Sequence, residues 1–474
     1  MSKIFNVRLP DAFSAEYDAQ KFNQLVRSLE QIVFQLNNTY SPIVTEDKES
    51  AYAWHGDGGG SMDTSGLTIP VSIGGTNTDA FGRLRVSQPY TLFDSQNRYA
   101  VDNQFDVATT GTGTTSFLSN EAAVKMEVTS GGIGSVTRQT FRSFPYQPGK
   151  GLLVLATFVM DSNNSLNLTQ RVGYYNNSNG VFFQRINGVY SFVLRSNSTP
   201  TPGTPSDVRT VNQSSWNGDK LDGSGPSGIT LDPTKAQILW MDFEWLGVGS
   251  VRCGFIIDGQ YIVCHTFENA NEVTSVYMST AILPVRYEII TTSAIAASMK
   301  SICCSVVSEG GFEQTSIDHV ARRTTVLANI DTTATFFPVV SIRLASGRTG
   351  AVVIPNRVQF LPLTSQNYEV VLLKNPTLTG ATWAATVPSD SNVEFDVAAT
   401  AISAVGTIAQ TDYVTSSGSA GVSQTSLPND YNFDLQLGAT IAGVSDIYTL
   451  AVRTVDGATK GSGVGSISFF DLTQ

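Results

Sequence analysis

A chain of 474 residues is long enough for two or three domains with cores of their own. Its formal net charge of -11, with no Lys/Arg cluster to offset it, excludes a sequence-independent grip on DNA or RNA, which needs a basic face to displace counterions. Only 15% of the residues are charged, and a composition rich in Gly, Ser, Thr, Asn, Val and Phe reads as a mainly β protein with many short strands and turns.

Residues 1–16 read as an extended arm. MSKIFNVRLP lacks the basic-then-apolar profile of a signal peptide, and no run in the chain approaches the ~18 apolar residues of a membrane span. The expectation is a protein made and folded in a cytosol, with no membrane insertion. Between Tyr17 and Asn37 the pattern changes: Phe22, Leu25, Leu29, Ile32 and Leu36 recur with gaps of three, four, three and four, the heptad period of a helix that buries one seam against other helices. Val26 and Val33 widen the stripe, which suits a three-stranded bundle, and Asp18 is placed to cap it. Residues 1–40 are therefore expected to form an arm and a trimerising or anchoring α-helix, although a helix packed on its own domain gives the same pattern. So short a helix is marginal alone, and a trimer needs further contacts from the downstream domains. Residues 41–78 contain HGDGGGSMDTSG and read as a Gly-rich linker, because the flanking strand and helix that a phosphate-cradling loop requires are missing.

From Asp79 the strand signals begin. TTSFLS, AAVKMEV, SVTRQTF and GLLVLATFVM are separated by turn residues, with Pro148-Gly149 at the centre of PYQPGK. NNSNG and INGV mark hairpins in RVGYYNNSNGVFFQRINGVYSFVLRS. Residues 197–234 form a long polar stretch, the kind of loop that is functional or covers a partner. In ILWMDFEWLGVGSVRCGFIIDGQYIVCHTF, Met241, Phe243 and Trp245 alternate with Asp242 and Glu244, so that one face is apolar and the other acidic. A two-residue turn at Asp258-Gly259 sets Cys253 directly opposite Cys264, and a reducing compartment favours two buried thiols over a disulfide. The pattern WLGVGSVRCGFIIDGQYIVCHTF, with LPVRYEI further on, resembles a lectin-type, concanavalin-like jelly roll. This assigns residues 79–325 to a jelly-roll β-sandwich and 326–474 to a C-terminal β-sandwich, the latter on the strength of FFPVVSIRLASGRTGAVVIP and the strands after it.

Catalytic chemistry finds little support. Jelly-roll glycosidases carry Glu-x-Asp-x-Glu or a close variant on one strand; here only Asp242-Phe-Glu244 is present, in reversed order and with no third acid. His55, His265 and His319 are far apart and lack metal-ligand spacing, so no metal or other cofactor is expected. Glycan binding is the rival among functions: Trp216 in the long polar stretch and the Tyr174-Tyr175 pair are the rings available for stacking on a sugar, unless the tyrosines are ordinary strand residues and Trp216 is buried in a subunit contact.

Three blocks, FNVRLPDA…FNQLVRSLEQIVFQLN, DAFGRLRVSQPYTLFDSQNRYAVDNQFD with its PYQPGK turn, and SIRLASGRTGAVVIP…LLKNPTLTGATW, resemble segments of virion structural proteins of tailed bacteriophages, cyanophages especially. The resemblance implies a non-enzymatic part of the tail, fibre, baseplate or particle surface, a homotrimer that meets other virion proteins and is assembled in the host cytoplasm. A receptor-recognition protein that binds host-surface glycan, a capsid decoration or head fibre, and a polysaccharide depolymerase are the alternatives it leaves open.

Overall fold

The computed structural model describes residues 88–473, apart from 164, 314–315, 317, 333–335, 386–390, 416–422, 427–432 and 456–459. The heptad seam of Phe22, Leu25, Leu29, Ile32 and Leu36, the Gly-rich linker and His55 lie outside the described residues.

The strands of the first half, in chain order, are β1 (Tyr90–Gln96), β2 (Phe105–Gly111), β3 (Gly113–Leu118), β4 (Ala123–Val128), β5 (Gly134–Thr140), β6 (Gly151–Val159), β7 (Leu168–Tyr175), β8 (Gly180–Ile186), β9 (Val189–Ser196), β10 (Ser206–Asn212), β11 (Gln237–Phe243), β12 (Val251–Ile257), β13 (Gln260–Phe267), β14 (Val285–Thr291) and β15 (Ala297–Glu309). They form two sheets. One runs β13-β12-β11-β6-β15-β4-β3, with β1 also on β15; the other runs β10-β9-β8-β7-β14-β5-β2. β14 is nested between β5 and β7, and β15 between β4 and β6, so the chain crosses repeatedly from sheet to sheet, as jelly-roll connectivity requires. Alternation does the rest: Leu152, Val154, Ala156 and Phe158 of β6 point inward and meet Val172, Tyr174, Val181 and Phe183 of the facing sheet in one core. Phe183 stands edge-on to Phe255 at 5.2 Å between centroids, and Tyr174 lies 5.2 Å from Phe243.

The turns obey the sequence. Asn187-Gly188 and Asp258-Gly259 both hold two consecutive positive φ values (53° and 79°, 50° and 75°), the geometry that lets a two-residue loop match the strand twist. The register beyond the second turn differs from the expected one. Gly254 faces Val263, but a β-bulge then sets Cys253 opposite His265 rather than Cys264. Cys253 and Cys264 are free, buried thiols of the core.

The second half contributes β16 (Asp318–Arg322), β17 (Leu327–Ile330), β18 (Phe337–Leu344), β19 (Val353–Pro362), β20 (Asn367–Lys374), β21 (Thr377–Thr379), β22 (Ala384–Ala385), β23 (Val393–Asp396), β24 (Ala401–Ala404), β25 (Thr407–Thr415), β26 (Ser423–Ser426), β27 (Ile447–Thr454) and β28 (Gly461–Asp471). A sheet β16-β28-β19-β26, with β17 also on β28, packs against a sheet β22-β23-β18-β27-β20-β25, and Phe360 meets Tyr368 across the layer at 5.2 Å. β16 pairs with the last strand and so belongs to this second sandwich, ahead of the boundary expected at 326.

The two sandwiches share a junction. Arg142 donates to the Phe433 carbonyl and to Gln104 Oε1, and its guanidinium lies 3.7 Å from Asp434. Ala439 N donates to Phe141 O at 2.8 Å, Gln436 Nε2 to Ser143 O at 2.7 Å, and Ile441 N to Asp106 Oδ2 at 2.7 Å. The Phe433 ring, 5.2 Å from Phe312, is buried in the core of the first sandwich.

Candidate ligand-binding face

The long polar stretch is less of a loop than its composition indicates. Its middle is β10, which pairs with β9 and extends the seven-stranded sheet. Beyond β10 the chain forms a strap: Gly218 N donates to Cys264 O and Asp219 N to Val263 O, both at 2.9 Å, while Asn217 exchanges side-chain bonds with the backbone of Thr266. The strap thus covers the β13 edge of the eight-stranded sheet. Any Cβ on residue 218 would collide with Val263 O, so only glycine fits. Trp216 pins the strap. It is 2% exposed, its ring lies 4.7 Å from Phe192, and its indole N–H donates to Val211 O at 3.1 Å. A sugar has no ring face to meet there, and Trp216 is buried within its own chain rather than in a subunit contact.

Tyr174 and Tyr175 point to opposite faces of β7, as adjacent strand residues must. Tyr174 is buried in the core, its hydroxyl donating to Ala281 O (2.8 Å) or Phe144 O (3.2 Å) and accepting from Leu283 N. Tyr175 lies on the outward face, in a separate apolar cluster with Phe182 and Val193. Its ring is 4.4 Å from that of Phe182, and Gly173 makes room, since a Cβ there would come within 2.6 Å of Phe182.

Over these rings the sheet places three arginines. Cross-strand register aligns Arg286 with Gly173 and Phe182, Glu288 with Arg171 and Gln184, and Arg195 with Asp207. Arg171 bonds Glu288 at 2.9 Å and Gln184 at 3.2 Å; Arg286 bonds Glu288 at 2.6 Å and Asn177 at 2.7 Å; Arg195 grips Asp207 through two nitrogens, at 2.7 and 3.3 Å. The guanidinium of Arg195 lies 5.0 Å from the Phe182 centroid and that of Arg286 5.3 Å from the Tyr175 centroid, within cation–π range. Burial pushes the Glu288 carboxyl up, but Arg286 and Arg171 outweigh it and hold the group below the ordinary carboxylate range. Burial, with Glu288 nearby, pushes the Tyr175 hydroxyl well above its usual range, so it stays neutral. Sequence reasoning passed over Arg171, Arg195, Arg286 and Glu288. Their signal was the i, i+2 spacing of Arg286 and Glu288 within VRYE, which places both on one face of a strand.

The acidic alternation is dismantled. β11 ends at Phe243, and Glu244 lies beyond it; Asp242, 0% exposed, is ion-paired with Arg252. Among the described residues no group of three or more His, Cys, Asp or Glu side chains is arranged to hold a metal, and His265 and His319 sit in different sandwiches. Among the same residues no helix is long and apolar enough to cross a membrane.

No family model matches the chain, and no curated protein sequence matches it. Solved structures with a likeness to it include the Emp47p carbohydrate recognition domain (9% identity over 47% of this chain and 97% of that one, TM-score 0.30). Peanut lectin with a 9mer peptide gives 10% identity, coverage of 47% and 98%, and a TM-score of 0.26. The CBM2 module of Lactobacillus casei BL23 phage J-1 evolved Dit gives 5%, 48% and 99%, and 0.30. Likenesses at this level leave ligand and role to be argued from the residues themselves.

Proposed function

We propose that this chain is a structural protein of a tailed-phage particle, a homotrimer whose first sandwich serves as a lectin-type, glycan-binding module. The virion reading is supported by the three sequence blocks that resemble phage structural proteins. The glycan reading is carried by the outward face of the seven-stranded sheet, where Arg171, Arg195, Gln184 and Asp207 gather polar donors and acceptors above the buried pair Tyr175 and Phe182. Such convergent polar groups on a rigid sheet suit hydroxyl-rich ligands. The role is non-enzymatic. Asp242 is sealed by Arg252, and Glu288, clamped as a carboxylate between two arginines, is a poor proton donor to a leaving sugar.

Light scattering on the purified full chain is expected to give about three times 50.8 kDa, with retention on host-surface polysaccharide and no release of reducing ends. A monomer at micromolar concentration overturns the trimer, and steady release of oligosaccharide would make the protein a depolymerase.

A further inference from the structure

The outward face differs in charge from the rest of the chain. The protein as a whole carries -11, yet Arg171, Arg195 and Arg286 stand together here with Glu288 and Asp207 as their ion-pair partners, while Asp106, on the same face two strands beyond Arg286, is turned to the junction and accepts from Ile441 N. The two carboxylates orient the guanidinium groups without cancelling them. Glu288 accepts from Arg171, Arg286 and the Thr137 hydroxyl, and Arg171 uses Nε on Gln184 and Nη1 on Glu288, so these bonds leave its Nη2 unused. Asp207 engages two nitrogens of Arg195 from the rim, where its own side chain is 31% exposed, and the third nitrogen reaches the Asn176 carbonyl only at 3.5 Å. Arg171 and Arg195 keep 16% and 15% of their side chains open to water, while Arg286 and Glu288 lie deeper. Beneath them Tyr175, Phe182 and Val193 are fully buried, so the charges rest on an apolar floor that screens them less than water would.

We propose that this face binds an anionic saccharide, a sugar bearing a carboxylate or sulfate group, through Arg171 and Arg195. The inference rests on the glycan-binding reading and names the class of glycan. A guanidinium offers paired N–H donors in a fixed plane that matches an oxyanion, and fixing it in advance by ion pairs lowers the entropy lost on binding. Asp207 and Glu288 act as positioning residues, and Asp207 also repels the ligand. Charge on this face therefore governs affinity.

That last point supplies a test that a purely structural role fails. Full-length protein is presented to immobilised neutral, uronate-bearing and sulfated polysaccharides at low and raised salt. Retention of either acidic class over the neutral one, weakening with salt, is the expected result, and comparing the two acidic arms tells carboxylate from sulfate. Arg171→Gln and Arg195→Gln should each weaken binding about tenfold. Asp207→Asn, which keeps the shape but removes the opposing charge, should strengthen it about two- to fivefold. If the arginines only brace the sheet, Arg195→Gln and Asp207→Asn change affinity in the same direction, and the proposal fails. Equal retention of neutral and acidic members overturns the anionic class while leaving glycan binding intact; retention of none overturns glycan binding as well.

Discussion

Tyr175 and Arg286 touch through a cation–π contact at 5.3 Å, yet Tyr175 Oη and Arg286 Nε are both sealed from water with no hydrogen-bond partner among the described residues. Burying an unmet hydroxyl costs free energy that a phenyl ring avoids. Tyr175→Phe is therefore expected to leave the unliganded protein as stable or more stable, by about 1 kcal/mol. Thermal unfolding measures this, and a loss of stability would show that the hydroxyl has a partner.

At the junction, Arg142 satisfies the Phe433 carbonyl and Gln104 while itself buried. Replacing it with Met keeps bulk but strands a buried carbonyl, at a cost of about 3 kcal/mol. Calorimetry of the parent should show both sandwiches melting together, and Arg142→Met should separate them into two transitions. A parent that already melts in two steps would mean that the junction does not couple them.

His265 gives the first sandwich an acid sensitivity. Burial, helped by Arg209, lowers its pKa from 6.5 to about 4, and its Nδ1 accepts a bond from Asn217 N at 3.4 Å. Arg209 is itself bonded to Glu268 O and lies 3.8 Å from Glu272. Because the folded pKa is depressed, the unfolded chain binds the proton more readily. The contribution is fully present above pH 6.5 and declines as the pH falls toward about 4. The loss is on the order of 1–3 kcal/mol. Denaturant titrations across that window should show the slope in the parent and a shallower one in His265→Gln.

The strap makes a steric prediction. Gly218→Ala forces a methyl into Val263 O, should cost about 2 kcal/mol or more, and should lift residues 217–219 from β13. Faster amide exchange along the strap and concentration-dependent association through the uncovered edge are expected. Trp216→Ala should likewise act on folding, by about 3–5 kcal/mol, which makes it an unsuitable probe of sugar binding.

Local rules are legible in this sequence wherever neighbours in the chain decide the structure. Asn187-Gly188 and Asp258-Gly259 read as two-residue turns and fold as such, because positive φ is a property of those residues themselves. GLLVLATFV likewise reads as a strand from its apolar run and folds as β6. The bulge at Cys264 was illegible: it accompanies a strap whose residues arrive from more than forty positions upstream and bond to Val263 and Cys264. The site was half visible. Tyr175 does lie on the outward face, but Arg171, Arg195, Arg286 and Glu288 are scattered along the chain, and only lateral register across β7, β8, β9, β10 and β14 makes them one group. Trp216 reads either as a ring for a sugar or as one buried in a subunit contact, because nothing in its neighbourhood reveals the gap beside Phe192 that it fills.

The junction also has a mechanical meaning. Force applied to the first sandwich would reach the second through Arg142, Ala439, Gln436 and Ile441, whose bonds fall within a few residues of one another in each sandwich. Bonds arranged in parallel share a force and give way together rather than unzipping in sequence. The same contacts that fuse two folding units would thus let the pair bear tension as one unit.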